Sequence, residues 1–471
     1  MPKKKLSSFF ILLAAALVHS NCSQPAAIVK QHVEGWITTP DKSKLLSPIE
    51  DLFFEEGLSS NLPAIEIDSS VTYQIMDGFG FALTGGSAGL IHRLDGKQRS
   101  ALLKELFLTQ NGIGISYLRI SIGASDLDDH VFSYDDLAQG KTDPLLSEFN
   151  LKEDQKNLIP LLKEILSFNP KIKILGSPWS PPLWMKTNHL AKGGMLKPEC
   201  YHVYANYLVK YIKAMAKEGI SIDAITIQNE PENPKNTPSL EMTAVEESEF
   251  IKKHLGPLFK REDIKTKIVL FDHNADHPEY PISILNDSVT KKYVDGSAFH
   301  LYLGEVSALS MTHNAHPDKN IYFTEQWTSG KGNFGEDLQW HVNNLIIGAT
   351  RNWSKNVLEW NLAADKNFNP HTPDGGCDLC QGALTVGKTI SRNVSYYIIA
   401  HASKFVPTGS IRISSNTIEH LPNVAFLTPD GTKVLIVSNS EKKERSFSIR
   451  FRGKLGIATL PSGAVATYVW R

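Results

Sequence analysis

Residues Ala224-Ile-Thr-Ile-Gln-Asn-Glu-Pro231 decide the fold. The first four are apolar or β-branched, as in a short buried strand, and a polar group follows at once. Upstream, Tyr201, Tyr204, Ala205, Leu208, Ile212 and Met215 recur at helical spacing, and Gly219 stops the run. A helix delivering the chain into a buried strand is one βα unit. The same grammar recurs at Ser116–Ile122, Ile172–Leu175, Ile268–Phe271, Ser297–Phe299, Ile321–Phe323 and Val357–Leu362. Another amphipathic stretch runs from Leu94 to Phe107. About eight such units between Met76 and Ala402 predict an α/β fold, a (β/α)8 TIM barrel rather than an open sheet.

The grammar differs at both ends. Ala64–Ile67 and Val71–Ile75 read as strands. After Lys404, the segments Ser410–Ser414, Asn423–Leu427, Lys433–Ser438, Ser446–Phe451 and Ala464–Trp470 are strand-like, split by turn signals such as Pro429-Asp-Gly431. They predict an antiparallel β domain that also recruits the N-terminal strands. The expected organisation is a signal segment over 1–21, N-terminal strands over 23–75, a barrel over 76–402 and a β-sandwich over 403–471.

Composition narrows the classes. Hydrophobic residues are 41% and charged residues 21% of 471, a globular balance that excludes a disordered, collagenous or polytopic membrane chain. Forty-nine Lys and Arg oppose 50 Asp and Glu, so there is no cationic excess for nucleic acid. Lys3, Lys4 and Lys5 precede a ten-residue apolar run, Phe9–Val18, too short to span a bilayer but suited to a signal-peptide core. Cys22 follows as in a lipoprotein signal, although Asn21 and His19 depart from the usual small residues. The expectation is an exported chain, at the cell surface, periplasmic or secreted, touching a membrane only through a lipid on Cys22.

Three further cysteines remain. Cys377-Asp-Leu-Cys380 admits a metal, redox chemistry or a local disulfide. A zinc site needs about four ligands, and no second CxxC exists. A Gly/Pro-rich loop is also the wrong setting for a thioredoxin-type motif. A structural disulfide is the favoured reading in an exported chain.

Barrel enzymes carry their chemistry at the C-terminal ends of strands. Directly after the apolar runs stand Asp126, Trp179, Asn229, Glu230, His300, Tyr302 and Glu325, with Trp360 and Asn361 closing the last run. Glu230 and Glu325 are 95 residues apart, about three βα repeats. If Glu230 ends strand 4, Glu325 ends strand 7 across the mouth. Two facing carboxylates serve glycoside hydrolysis: one protonates the leaving oxygen and the other attacks the anomeric carbon. Arg119, inside a strand, needs an anion; Glu325 suits it, and a structural salt bridge elsewhere is the alternative. A loop Trp such as Trp179 more often packs than binds. His300 reads as a hydrogen-bonded supporting residue. His273, Asp276 and His277 match no common metal spacing, so neither metal nor cofactor is expected.

These residues resemble glycoside hydrolase family 30. The matching blocks are Asp77-Gly-Phe-Gly80, Leu118-Arg-Ile-Ser121 with Asp126, Ser177–Asn188, Leu196-Lys-Pro198, Gln228-Asn-Glu-Pro231, Thr324-Glu325, Glu359-Trp-Asn-Leu362 and His401–Val406. The resemblance implies a barrel with a β-sandwich built from both chain ends. It implies Glu230 as general acid/base, Glu325 as nucleophile and a retaining mechanism. It assigns Asn229 to the sugar 2-hydroxyl, Asp126 to far hydroxyls, Trp179 and Trp360 to sugar contact, and Tyr302 and Arg119 to the nucleophile.

Leu83-Thr-Gly-Gly-Ser-Ala88 departs from the Thr-Asp-Ala stretch of glucosylceramidases, and Gly375–Gly382 resembles a loop of microbial β-1,6-glucanases. The expected substrate is therefore a carbohydrate, a β-1,6-glucan of the pustulan type. A glucosylceramidase or broad β-glucosidase is the alternative. A catalytically dead carbohydrate-binding barrel is the alternative of another class.

Overall fold

The computed structural model describes residues 1–5 and 30–471; Cys22 and the apolar run before it lie outside them. Eight parallel strands close into a barrel: Gly78–Ala82, Tyr117–Ser121, Lys173–Ser177, Ala224–Thr226, Lys267–Ala275, Val294–Gly304, Asn320–Glu325 and Ser354–Glu359. The (β/α)8 expectation holds: Glu230 follows the fourth strand and Glu325 ends the seventh. The seven apolar runs missed the first strand. Its sequence, Gly-Phe-Gly-Phe-Ala, reads poorly as a strand because glycine weakens strand interiors. Gly80 earns its place by contact: a Cβ there would lie 1.9 Å from the Tyr117 carbonyl oxygen of the adjacent strand.

Side chains fill the barrel interior. Tyr117, Leu175, Ala224, Val269, Ala298, Tyr322 and Leu358 form a buried cluster, so the barrel is a packed core with its chemistry confined to one end. Outside, the helix Gly96–Phe107 starts on Asp95, whose carboxylate accepts the Lys97 and Gln98 N–H groups.

The second unit is a sheet built from both chain ends. Gln31–Thr38, Leu52–Glu56 and Ala64–Ile75 join Ile411–Ser415, Asn423–Leu427, Lys433–Ser438, Arg445–Phe451, Lys454–Leu460 and Val465–Trp470, and pairing of Gln31–Thr38 with Leu52–Glu56 links its ends. Two details differ from the sequence reading. Ala64–Ile75 is one strand, irregular where it pairs with Ile411–Ser415; Asp68 Oδ1 there accepts the Ser70 N–H at 2.8 Å, a local turn that breaks the pattern without ending the strand. Lys454–Leu460 is an additional strand. Its hairpin turns on Arg452 and Gly453, with φ of 50° and 76°, the two-residue geometry that matches strand twist.

The two units share apolar packing. Phe426, Val434, Ile436 and Val465 of the sheet belong to the same buried cluster as the barrel's Phe79 and Leu118. His401 bridges them, its ring nitrogens each 2.9 Å from a hydroxyl, Thr38 on one side and Thr467 on the other. No helix among the described residues is long and apolar enough to cross a membrane.

Candidate active site

Strand ends at the barrel mouth bring distant residues into one buried cluster. One oxygen each of Glu230 and Glu325 and one nitrogen of His300 all lie within 4.8 Å of one another. Both residues are buried, at 5% and 6% exposure. Inverting glycosidases keep their carboxyls about 6.5–9.5 Å apart to admit a water, and retaining ones about 5–5.5 Å. The observed spacing belongs to the second group.

Each carboxylate has its own partners. Glu325 accepts the Tyr302 hydroxyl at 2.8 Å on Oε1 and the Arg119 guanidinium on Oε2. Glu230 accepts the side-chain amides of Asn233 and Asn236 on Oε2, at 2.7 and 3.0 Å. His300 Nδ1 lies 3.3 Å from Glu230 and 3.7 Å from Glu325, so one imidazole faces both.

Asp272, which sequence reasoning passed over, organises the cluster. Its Oδ2 accepts Arg119 Nη2 at 2.7 Å, Ser177 Oγ at 2.6 Å and Thr226 Oγ1 at 2.8 Å. Its Oδ1 accepts Thr324 Oγ1 at 2.6 Å and faces His300 Nε2 at 3.1 Å. Its carbonyl accepts the Glu230 N–H at 3.0 Å. The signal was available: Asp272 directly follows Ile268–Phe271, the position at which the other site residues were found.

The backbone is bent to make these contacts. Glu230, Phe271 and Asp272 have φ of 46°, 73° and 57°, left-handed values that cost residues with a side chain about 1–3 kcal/mol each. Glu247 supports the bend from behind, its Oε1 accepting the Phe271 N–H at 3.3 Å. Burial pushes the Glu247 carboxyl up to about 8.

Electrostatics follow from these neighbours. Burial alone would raise Asp272, but Arg119, with the His300 hydrogen bond and charge, holds it far below the usual carboxylate range. Burial lowers His300; Glu325, Asp272 and Glu230 more than reverse this and push it up to about 9. Burial raises Glu325 against the opposing charges of His300 and Arg119. Burial also raises Glu230, but its hydrogen bond to His300 and that imidazole's charge turn the shift downward. Glu230 and His300 therefore hold protons as a pair. Asp126 is pushed up to about 8 by burial and by the charges of Glu325 and Glu230. At neutral pH it carries a proton and offers a donor as well as an acceptor.

The other predicted residues converge here. Asn229 gives its side-chain oxygen to Arg119 Nη2 at 2.6 Å. Trp179 stacks on Trp360 with centroids 5.4 Å apart, and the Arg119 guanidinium lies 4.7 Å over the Trp179 ring. Trp179 Nε1 has no protein acceptor. Both indoles are buried in a cluster with Leu127 and Cys380, so they form a wall rather than an open platform. The Cys377 and Cys380 sulfurs are bonded, 2.10 Å apart, while Cys200 is free and buried. Of His273, Asp276 and His277, the last pairs through Nδ1 with Glu232 at 2.9 Å, and the metal-capable grouping among the described residues is Glu230, His300 and Glu325.

A (β/α)8 barrel with two close carboxylates at its mouth is the architecture of a glycoside hydrolase. The chain belongs to glycosyl hydrolase family 30: the family's TIM-barrel domain matches residues 76–406 and its β-sandwich domain residues 409–468. It is 32% identical to an endo-1,6-β-D-glucanase of Aspergillus fumigatus over 99% of both chains. It is 29% identical to the lysosomal acid glucosylceramidase of Mus musculus, over 85% of this chain and 82% of that one. Among solved structures it resembles an endo-β1,6-glucanase, with TM-score 0.86 and 34% identity over 93% of this chain and 99% of the other.

Proposed function

We propose that the protein hydrolyses β-1,6-linked glucan with retention of configuration. The observation that carries this reading is the meeting of Glu230, Glu325 and His300 atoms within 4.8 Å, the close pairing that double displacement uses. In the first half-reaction Glu325 attacks the anomeric carbon while Glu230 gives its proton to the leaving oxygen. In the second, Glu230 takes a proton from water, which attacks the same carbon and frees Glu325. The hydrogen bonds from Arg119 and Tyr302 aim the nucleophile.

The remaining contacts suit a hexose. Arg119 occupies the Asn229 carbonyl, which leaves the Asn229 amide hydrogens for the sugar 2-hydroxyl. Asp126 takes the far hydroxyls, and Trp179 with Trp360 walls the ring. The linkage reading is supported by the endo-1,6-glucanase relatives, which match nearly the whole chain at 32–34% identity. The mouse relative supports glucosylceramide as a second substrate reading. Export is supported by Lys3–Lys5 and the apolar run that follows them.

Two measurements test these statements. Proton NMR of a pustulan digest should show the β-anomer as first product; an α-anomer first would refute double displacement. On a panel of pustulan, glucosylceramide and aryl β-glucoside, pustulan should give the fastest release. Rapid ceramide release beside an inert pustulan would transfer the reading to glucosylceramide.

A further inference from the structure

We propose that the groove between the loops after the fourth and fifth barrel strands binds the leaving-side glucosyl units of the substrate glucan. The inference rests on the glucan-hydrolase reading above and adds where the departing chain lies.

Barrel order sets the direction. The strands are arranged in a ring, and Asp126 and Trp360 stand after the second and eighth strands. That arc lies opposite the fourth and fifth strands. A glucosyl ring held by Asp126, Trp179 and Trp360 therefore puts its cut bond over the Glu230–Glu325 pair and its leaving group toward the fourth and fifth loops. The acid/base must also stand on the leaving-group side. Glu230 is followed at once by Pro231 and Glu232, and both line the groove.

The groove has the chemistry for sugar. It encloses about 590 Å³ and runs between Pro231, Glu232 and Met242–Val245 on one bank and His277, Tyr280 and Ser283 on the other. Val245 is 75% exposed, an apolar surface for the C–H face of a hexose. The Glu232 carboxylate and His277 imidazole pair at 2.9 Å from one bank to the other, at 35% and 50% exposure, with lone pairs and N–H groups left for hydroxyls. His273 joins this pair to the catalytic cluster. It is 7% exposed, its Nε2 lies 3.9 Å from Glu232 and its Nδ1 has no protein partner; burial disfavours its charge, which when present acts on Glu230. A polar path thus runs from the acid/base out to the groove.

The test compares substrates that do and do not reach the groove. Wild type, Glu232→Ala and Val245→Trp are assayed on an aryl β-glucoside and on gentiotetraose, and the ratio of kcat/KM values is taken for each enzyme. The ratio of tetraose to aryl glucoside should fall about tenfold in Glu232→Ala, the loss of one hydrogen bond to a charged group. It should also fall in Val245→Trp, where an indole fills an exposed bank without touching the ion pair. Unchanged ratios in both variants overturn the proposal. A wild-type enzyme inactive on β-1,6 oligosaccharides refutes the linkage reading alone, and the same ratio is then read on the linkage it cleaves.

Discussion

Replacing Asp272 by Asn keeps the shape and removes one buried charge. Five donors or near-donors surround this carboxylate: Arg119, Ser177 and Thr226 on one oxygen, Thr324 and His300 on the other. An amide NH2 turned toward Oδ2 would face the Arg119 guanidinium, which cannot accept. Turned toward Oδ1, it would face Thr324, which can rotate, and His300, which can accept only by giving up a proton. The second orientation is the tolerable one, and it deprotonates His300. Breaking a buried ion pair on one side costs about 3–5 kcal/mol. We expect Asp272→Asn to lower the denaturation free energy by about that much, and kcat by ~10²-fold through misplacement of Arg119 against Glu325.

The pH behaviour separates positioning from mere support. Asp272 is depressed when folded, so its contribution to stability is fully present above about pH 4, the unfolded carboxylate's range, and is lost only in stronger acid. Asp272's own part of the stability gap between wild type and variant should therefore stay level down to about pH 5, while above about pH 6.5 the gap should narrow as wild-type His300 gives up its proton. His300 loses two of the influences that raise it, so the basic limb of the kcat/KM profile should move to lower pH. Urea melts and pH–rate profiles of the two proteins check this. A variant within about 1 kcal/mol of wild type, with an unmoved basic limb, would refute the assignment of Asp272 as the hub.

Other expectations follow from the same contacts. Glu325→Gln should abolish hydrolysis of every glucoside while isothermal titration still detects oligosaccharide binding; retained turnover would displace Glu325 as nucleophile. His300, raised to about 9, contributes stability that is complete below about pH 6.5 and fades as pH rises through 9, so the thermal midpoint should drop across that window in wild type and less so in His300→Asn. Replacing Cys377 and Cys380 by Ser opens a four-residue loop, for which chain entropy gives up to about 2 kcal/mol, and should raise KM because Cys380 packs with Trp179 and Trp360.

What the sequence disclosed depended on whether a feature was local. Glu230 and Glu325 each follow a recognisable apolar run, and counting βα repeats placed them across the barrel mouth. Asp272 also follows such a run, yet its importance lies in partners from the second, third, fourth, sixth and seventh strands, which no one-dimensional pattern joins. The first strand stayed hidden because its two glycines serve close backbone approach, and propensity counts that against a strand. The strand Lys454–Leu460 was obscured in the same way by Gly456, whose added Cβ would lie 2.8 Å from the Phe54 ring. The π-stacked Trp179 and Trp360 were found as residues but not as a pair, since their contact depends on closure of the barrel.

Charge counting explains why a third buried carboxylate belongs in a two-carboxylate mechanism. In the reacting state Glu230 holds the proton it will donate, against the downward pull of His300, and the buried cations Arg119 and His300 are matched by Asp272 and Glu325. After the first half of the proposed displacement, Glu325 is an uncharged ester and Glu230 has lost its proton. The two cations are then matched by Asp272 and Glu230. The cluster is neutral at both stages, and Asp272 is the anion common to both. Without it Arg119 would face an ester with no counter-charge in a site where an unpaired ion costs several kcal/mol. Sharing Arg119 between Asp272 and Glu325 also keeps the guanidinium from quenching the nucleophile entirely. The left-handed pair Phe271 and Asp272 within the fifth strand is thus placed where it holds the site's charge constant while its two working carboxylates exchange theirs.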